Sequence, residues 1–327
     1  MRKSLLSIAV LSALAMPALS YADEVAPAPA PAPAPVAAAA DWTITSNIAA
    51  VSNYKARGIS QSWNKAAVQG GFDVAHASGV YAGFWGSSMS SDTFPNANLE
   101  MDFYGGYNGT IKAVEGLGWT AGVIGIYYPG AGWDKYADTA GNYVTPNGDK
   151  FTNWEGNVGL SYKWFSTKLS YGLTDWFGAN KKVGWDGSTR GSTYLEVNAN
   201  VPLPWWDLTF VAHAGHSNIA GKLDLNALSS VTHLPISQGA DGLNSQASPD
   251  WTDYKIGFSK AFSIAKSEGW NAGAYWVGGT NGAYWNNRGY GGSSFLGSSG
   301  GTVPGFAGLQ SNNLSAGRLV VNISRLF

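Results

Sequence analysis

The feature of this chain that most constrains its fold is a strict two-residue alternation of side chains. In residues 153–164, every second residue from Trp154 onward is uncharged, whereas the intervening residues from Asn153 onward include no large apolar side chain. Residues 98–108 alternate in the same way. Successive side chains of a β-strand point to opposite faces, so each segment is predicted to be a strand with one polar face. Charge on one face alone indicates that the other face meets lipid or a core.

Ten further segments follow the pattern less sharply, which brings the predicted strands to twelve. These ten are Trp42 to Asn53, Ala67 to Ala75, Val80 to Ser87, Trp119 to Tyr127, Thr167 to Asp175, Ser192 to Val201, Leu208 to Gly215, Asp253 to Ala261, Gly269 to Gly278 and Leu314 to Phe327.

The connections between these segments alternate between short and long. An even number of strands brings the C-terminus back to the side of the membrane where the N-terminal linker begins. The pattern predicts an all-β fold over residues 41–327: an antiparallel transmembrane β-barrel of about 12 strands with short periplasmic turns and long extracellular loops. A soluble β-sandwich is the alternative, but it has no reason to sort its loops by length.

The first forty residues predict export. Two basic residues precede an apolar run over 5–19, and a small-residue cleavage site ends at Ala22. Residues 1–22 are therefore predicted to be a signal peptide rather than a membrane anchor, because the run is short and interrupted. Residues 23–40 are rich in Ala and Pro, which predicts an extended periplasmic linker. It is either a tether to a periplasmic partner or a solvated leader.

Composition supports the barrel and excludes several other classes. The chain has 15 Trp, 16 Tyr and 43 Gly, which suits aromatic belts at lipid headgroups and tight strand packing. It has no cysteine, which excludes disulfides and Cys-based metal sites. Its net charge of −1 provides no excess of basic residues for binding nucleic acid. Aromatic residues fall at both predicted ends of the strands and predict two girdles. The girdle at the outer end comprises Tyr54, Trp85, Tyr127, Tyr128, Trp154, Trp176, Phe177, Trp251 and Tyr254.

The polar strand faces predict which ionisable residues point into the barrel. Acids and bases are mixed among them, so the count predicts internal pairs or a zwitterionic wall rather than strong selection between anions and cations. The candidate pore-lining residues are Asp73, Glu100, Asp102, Glu155, Lys163, Lys168, Glu196, His213, Asp253, Lys255 and Arg318.

Catalysis, a metal site and a cofactor are not expected. The sequence contains four histidines and no metalloprotease motif or phosphate-cradling loop. His213 is predicted to be a hydrogen-bonded residue of the lumen rather than a general base. His213 and His216 are three apart, which is poor spacing for one metal on a strand, where the same face recurs every two residues.

Two resemblances add to this interpretation. The last segment resembles the closing strand of bacterial outer-membrane barrels, whose final aromatic residue is read by the barrel-assembly machinery, so Phe327 is a candidate assembly signal. Nearly all of residues 42–327 resembles the TorF porin family of proteobacteria. The resemblance is carried by SNYKARGISQSWNKAAVQGGFDVAHASGVYAGFWGSS, LEMDFYGGYNG, SYKWFSTKLSYGLTDWFG, TYLEVNANVPLP and DYKIGFSKAF. It implies a barrel with a pore in the outer membrane of a Gram-negative bacterium, and it implies no catalytic residue.

The predicted function is therefore an outer-membrane porin-like channel for passive diffusion of small hydrophilic solutes. Its expected partners are outer-membrane lipids, the barrel-assembly machinery and those solutes. An alternative stays open: a non-conducting structural barrel whose surface loops bind an external partner. Twelve strands lie between small barrels filled by side chains and large aqueous porins, so size does not decide between the two.

Overall fold

The computed structural model describes residues 41–94, 96–135, 150–224, 226–227, 246–285 and 312–327, and these fold as a closed antiparallel barrel. Each strand pairs with its neighbours in sequence, and the last pairs with the first. In the described part of the chain, no helix has the length and apolar character needed to cross a membrane. The predicted signal peptide, 1–22, and linker, 23–40, lie outside the described residues.

The twelve barrel strands confirm the predicted fold class and all twelve predicted segments. They are β1 (Trp42–Val51), β2 (Ala67–His76), β3 (Val80–Ser88), β4 (Leu99–Thr110), β5 (Leu117–Gly132), β6 (Lys150–Tyr162), β7 (Phe165–Gly172), β8 (Thr193–Pro202), β9 (Leu208–Asn218), β10 (Trp251–Ile264), β11 (Ser267–Gly279) and β12 (Arg318–Leu326).

The connections divide the barrel into two different rims. At the short-turn rim, the strands are joined by residues 77–79, 111–116, 163–164, 203–207 and 265–266. At the opposite, long-loop rim, the connections run from 10 residues, 89–98, to 38 residues, 280–317. The alternation of short and long connections is therefore as the sequence predicts.

The wall has an apolar outer face and a polar inner face. On β6, Val158 and Leu160 point outward and are 56% and 47% exposed, whereas Glu155 points inward and is 4% exposed. Antiparallel pairing from Asn47 with Leu326 to Val51 with Asn322 closes the barrel between β1 and β12. The strands thus present alternate residues to two different environments, as in a barrel that meets lipid.

Inward tyrosine rings lie flat against the wall because glycines beneath them leave room. A Cβ atom on Gly83 would lie 2.4 Å from the ring of Tyr104, and one on Gly215 would lie 2.5 Å from the ring of Tyr194. The Tyr104 hydroxyl donates a hydrogen bond to Asp73 Oδ1 at 2.6 Å, which holds that ring in place. The rings therefore line the lumen instead of projecting across it.

Candidate functional site

The connection after β1 folds into the barrel as a small β-hairpin, which we call the inner hairpin (residues 52–66). Lys55–Ala56 pairs with Ile59–Ser60, and the turn residues Arg57 and Gly58 have φ angles of 49° and 75°. Two successive residues with positive φ are typical of a type I′ turn, which suits the twist of two paired strands. Lys55 and Ile59 are each 2% exposed, so the hairpin is packed inside the barrel rather than lying over it.

Arg57, at the tip of the inner hairpin, reaches the far wall of the lumen. Its Nη2 atom lies 2.8 Å from Glu155 Oε2 on β6. Its guanidinium carbon lies 4.0 Å from the centre of the Tyr194 ring on β8. Trp251 Nε1 donates a hydrogen bond to the Arg57 carbonyl at 2.8 Å. In the ring of twelve strands, β6 lies almost opposite β1, so the hairpin spans the lumen.

Gly58 lets the tip of the inner hairpin pack against β10 and β11. A Cβ atom at this position would lie 2.5 Å from the Gly278 carbonyl oxygen and 2.7 Å from Asp253 Cβ. The positive φ also favours glycine. Both the turn and the close contact with the wall therefore require the residue that the sequence has here.

Lys55 fastens the base of the inner hairpin to the segment before β12. Its Nζ atom donates to the carbonyl oxygens of Gly58, Leu314 and Ala316 at 3.1, 3.0 and 2.8 Å. The Tyr54 hydroxyl donates to Glu100 Oε1 at 3.0 Å. The hairpin is thus joined by polar contacts to the segment before β12 and to Glu100 on β4.

The structure places most of the candidate pore-lining residues on the inner face. Lys168 on β7 and Glu196 on β8 face each other directly and form an ion pair at 3.4 Å. His213 Nε2 lies 2.7 Å from Asp253 Oδ1, and its Nδ1 lies 2.7 Å from Asn198 Oδ1. That these residues line a conducting path stays a prediction. Those buried on the inner face are Asp73, Glu100, Asp102, Glu155, Lys168, Glu196, Asp253 and Lys255.

Two candidates lie at the rims of the barrel, and the prediction needs correcting for Lys163. Lys163 occupies the exposed turn at the short-turn rim because β6 ends at Tyr162 and not at Trp164. Its positive φ of 54° suits a two-residue turn, and its amine lies 5.1 Å from the Tyr162 ring centre. Arg318 begins β12 at the long-loop rim and is exposed, although it shares a face with the buried Val320.

Sequence reasoning missed the inner hairpin and its two cations. With Lys163 and Arg318 at the rims, the buried strand residues comprise six carboxylates and two lysines. Lys55 and Arg57 bring two positive charges to this acidic wall. The signal that could have revealed the hairpin is the Arg57-Gly58 turn, together with the excess of inward acids on the strands.

The predicted outer girdle also needs correcting, because several of its members point inward. Tyr54, Trp85, Tyr128 and Trp251 are at most 4% exposed, whereas Tyr127 and Trp154 are each 43% exposed on the outer face. The buried rings form an aromatic cap inside the long-loop rim. Its core comprises Tyr54, Trp85, Tyr128, Trp133, Phe151, Trp185, Trp251, Tyr284 and Trp285, with Trp176 and Phe177 packed against it.

Asp175 fastens the loop that carries Trp176 in the aromatic cap. Its Oδ1 accepts hydrogen bonds from the backbone nitrogens of Thr189 and Arg190 at 2.8 and 3.1 Å. Burial raises the pKa of this carboxyl, but its hydrogen bonds outweigh burial and hold the pKa below its usual value. The loop is therefore pinned by an ionised carboxylate at neutral pH.

Between the inner hairpin and the short-turn rim, the inner wall is polar, and several of its side chains are only partly buried. Asn157, Ser161, Asn198 and Asn200 lie on this surface. In the part of the chain that the structure describes, the side-chain oxygen of Asn157 accepts no hydrogen bond, nor does that of Asn271. Water ordinarily satisfies such groups, so this half of the lumen is suited to hydration.

A small cavity of about 20 Å³ adjoins the inner hairpin. Tyr54, Lys55, Gln69, Lys255 and Asn322 are among its lining residues. This volume suits about one water molecule. Within the described ranges, no group of three or more His, Asp or Glu side chains is arranged to hold a metal ion.

Comparison with known proteins gives a family and distant structural similarities. A family model described as a bacterial protein of unknown function (Gcw_chp) matches residues 36–229. A search of curated proteins found no match.

The solved structures that match share little sequence with this chain. The NanC porin in a rhombohedral crystal form is 11% identical, with a TM-score of 0.38, and the match covers 86% of this chain and 99% of that one. A chain from work on the in-meso crystallization of membrane proteins is 8% identical, with a TM-score of 0.43 and coverages of 87% and 83%. OprD from Pseudomonas aeruginosa is 11% identical, with a TM-score of 0.31; the match covers 80% of this chain and only 59% of OprD.

Proposed function

This chain belongs to the Gcw_chp family of bacterial proteins of unknown function, and we propose that it is a porin-like channel of the Gram-negative outer membrane. Small hydrophilic solutes diffuse through it passively, without catalysis. The resemblance to TorF porins belongs to this proposal. The apolar outer face of a closed barrel supports the membrane location, since closure leaves no unpaired strand edge in lipid.

The observation that carries the proposal is the polar inner wall on the short-turn side of the inner hairpin. Asn157, Ser161, Asn198 and Asn200 there are only partly buried, and the tyrosine rings lie flat over glycines. A barrel with a purely structural role gains nothing from polar groups inside, because burying them costs free energy unless they are paired. A hydrated lumen explains why they are present.

The inner hairpin is the constriction of the proposed channel. It crosses the lumen where the wall carries its densest charge, and its tip bonds to the far side through Arg57. Solutes pass when the hairpin shifts from the position described here. The conductance is therefore set by how firmly the hairpin is held.

Replacing residues 55–60 with a short Gly-Ser segment is expected to raise the conductance severalfold. Purified wild-type and variant barrels would be compared in planar bilayers, with heat-modifiable migration showing that each is folded. A larger steady conductance in the variant supports a channel narrowed by the inner hairpin. If both proteins are folded and both are silent, the channel is excluded.

That silent outcome would favour the alternative, a structural barrel whose surface loops bind an external partner. The aromatic cap is the observation in its favour, because packed rings occupy the interior of the long-loop rim. In that case the loops would be the functional surface and the polar lumen would be incidental.

Topology gives a separate test of the proposed location. A peptide tag within residues 216–252 is expected to be labelled on intact cells, whereas one within residues 203–207 is expected to be labelled only after permeabilisation. The reason is that the former lies at the long-loop rim and the latter at the short-turn rim. Labelling of the 203–207 tag on intact cells would reverse the orientation.

A further inference from the structure

The pocket that receives Arg57 is a preformed site for a planar cation. Glu155 presents Oε2 to the guanidinium at 2.8 Å, while the Tyr194 ring lies beneath it at 4.0 Å. A carboxylate at the edge and an aromatic face below satisfy a guanidinium through charge-assisted hydrogen bonding and cation–π attraction together. The side chains of Arg57 and Glu155 are 11% and 6% exposed, so the contact is shielded from solvent.

Strand residues build this pocket without help from the inner hairpin. Glu155 Oε1 accepts a hydrogen bond from Asn153 Nδ2 at 2.7 Å, which orients the carboxylate. The Tyr194 hydroxyl donates to Asp253 at 3.1 Å, and its ring rests on Gly215. These residues belong to β6, β8, β9 and β10, so the pocket persists when the hairpin moves away.

Withdrawal of Arg57 would leave the pocket with unbalanced negative charge. Glu155 would lose the cation that lies 2.8 Å from its carboxylate. Three carboxylates, Glu155, Glu196 and Asp253, would then share Lys168 and His213; Lys168 lies 3.4 Å from Glu196 and also attracts Glu155, and His213 is paired with Asp253. The vacated pocket therefore favours a new cation over remaining empty.

Building on the proposed channel, we infer that this pocket is a binding site for guanidinium-bearing solutes on the permeation path. Arg57 occupies the site in the closed arrangement, and a permeating solute replaces it when the inner hairpin withdraws. A compact ammonium group fits less well, because it cannot stack a planar face on Tyr194 while pointing in-plane N–H groups at Glu155.

Arg57→Ala provides a direct test with methylguanidinium as the probe and methylammonium as the matched control of equal charge. Millimolar methylguanidinium is expected to raise the temperature of heat modification of R57A and to reduce its bilayer conductance. Methylammonium is expected to need at least roughly tenfold higher concentration, since one hydrogen-bonded contact is worth about 1.4 kcal/mol or more. Wild type should need a higher methylguanidinium concentration than R57A, because the solute must displace Arg57 from the pocket.

Two further variants locate the response. R57A combined with Glu155→Gln, and R57A combined with Tyr194→Leu, should both lose the preference for methylguanidinium. Equal responses of R57A to the two cations, or an unchanged preference in both double variants, would overturn the site. If R57A is folded and silent but methylguanidinium still raises its heat-modification temperature selectively, the binding site stands while the channel and the site's role in permeation fall.

Discussion

Replacing Val158 with Arg is expected to destabilise the folded barrel by about 2–4 kcal/mol, or roughly 30- to 900-fold in the folding equilibrium. Val158 points outward and is 56% exposed. It lies midway along β6 between Trp154 and Tyr162, whose exposed rings mark the two headgroup levels. A charge at this depth is removed from water without a partner. Refolding titrations in lipid vesicles measure the loss.

Two neighbouring substitutions serve as controls for this prediction. Asn157→Arg places the same charge one residue away on the polar inner face and should cost much less, because the lumen solvates it. Leu160→Arg lies nearer the short-turn rim, where Arg can reach the headgroups, and should have an intermediate effect. If Asn157→Arg is as harmful as Val158→Arg, the interior is tightly packed. If Val158→Arg is harmless, the outer face does not meet lipid.

The strands could be predicted from sequence because the two faces of the wall meet such different surroundings. Val158 and Glu155 differ in parity along β6, and that parity alone assigns one to the outside and the other to the inside. The pairing order then follows from chain order, since short turns join adjacent strands. Nothing beyond alternation and connection length was needed to place the twelve strands.

Phe327 lies on the outer face, as the alternation along β12 predicts, and its ring contacts Arg325. The residue is 58% exposed, consistent with the apolar register of β12. Arg325, which shares that face, has its guanidinium 4.3 Å from the Phe327 ring centre and 5.5 Å from that of Trp270. A charge near the edge of the outer face is thus placed over aromatic rings. Recognition of Phe327 by assembly machinery stays a prediction.

The interior of the long-loop rim could not be predicted because alternation says nothing about where a loop goes. Trp251 begins β10 and Tyr54 lies three residues beyond β1, near the level expected of a girdle, but both are buried instead of facing lipid. Lys163 was misplaced for a related reason, since the alternation continues to Trp164, two residues beyond the end of β6 at Tyr162. The inner hairpin depends on contacts between residues far apart in sequence, such as Arg57 with Glu155, which no local pattern encodes.

Replacing Lys55 with Met is expected to release the inner hairpin and raise the conductance. Lys55 is 2% exposed, and its amine donates to three carbonyl oxygens that Met cannot satisfy. Allowing for the desolvation of the amine that the substitution removes, the docking of the hairpin should weaken by about 3 kcal/mol. This is roughly a 100-fold shift toward the undocked state. The loss falls on the hairpin and not on the strand ladder, so the barrel stays folded.

The matched control is Lys65→Met, which removes the same charge from the same connection. The Lys65 side chain is 64% exposed, and its 3.3 Å contact with Asp92 lies at the surface, where an ion pair contributes at most about 1 kcal/mol. Limited proteolysis within residues 55–60, heat-modifiable migration and single-channel recording would be applied to both variants. Cleavage and higher conductance in Lys55→Met alone would show that the hydrogen bonds from Lys55 to Leu314 and Ala316 hold the constriction in place. Equal behaviour of the two variants would mean that the Tyr54 and Arg57 contacts suffice to hold the hairpin, and the role assigned to Lys55 would fall.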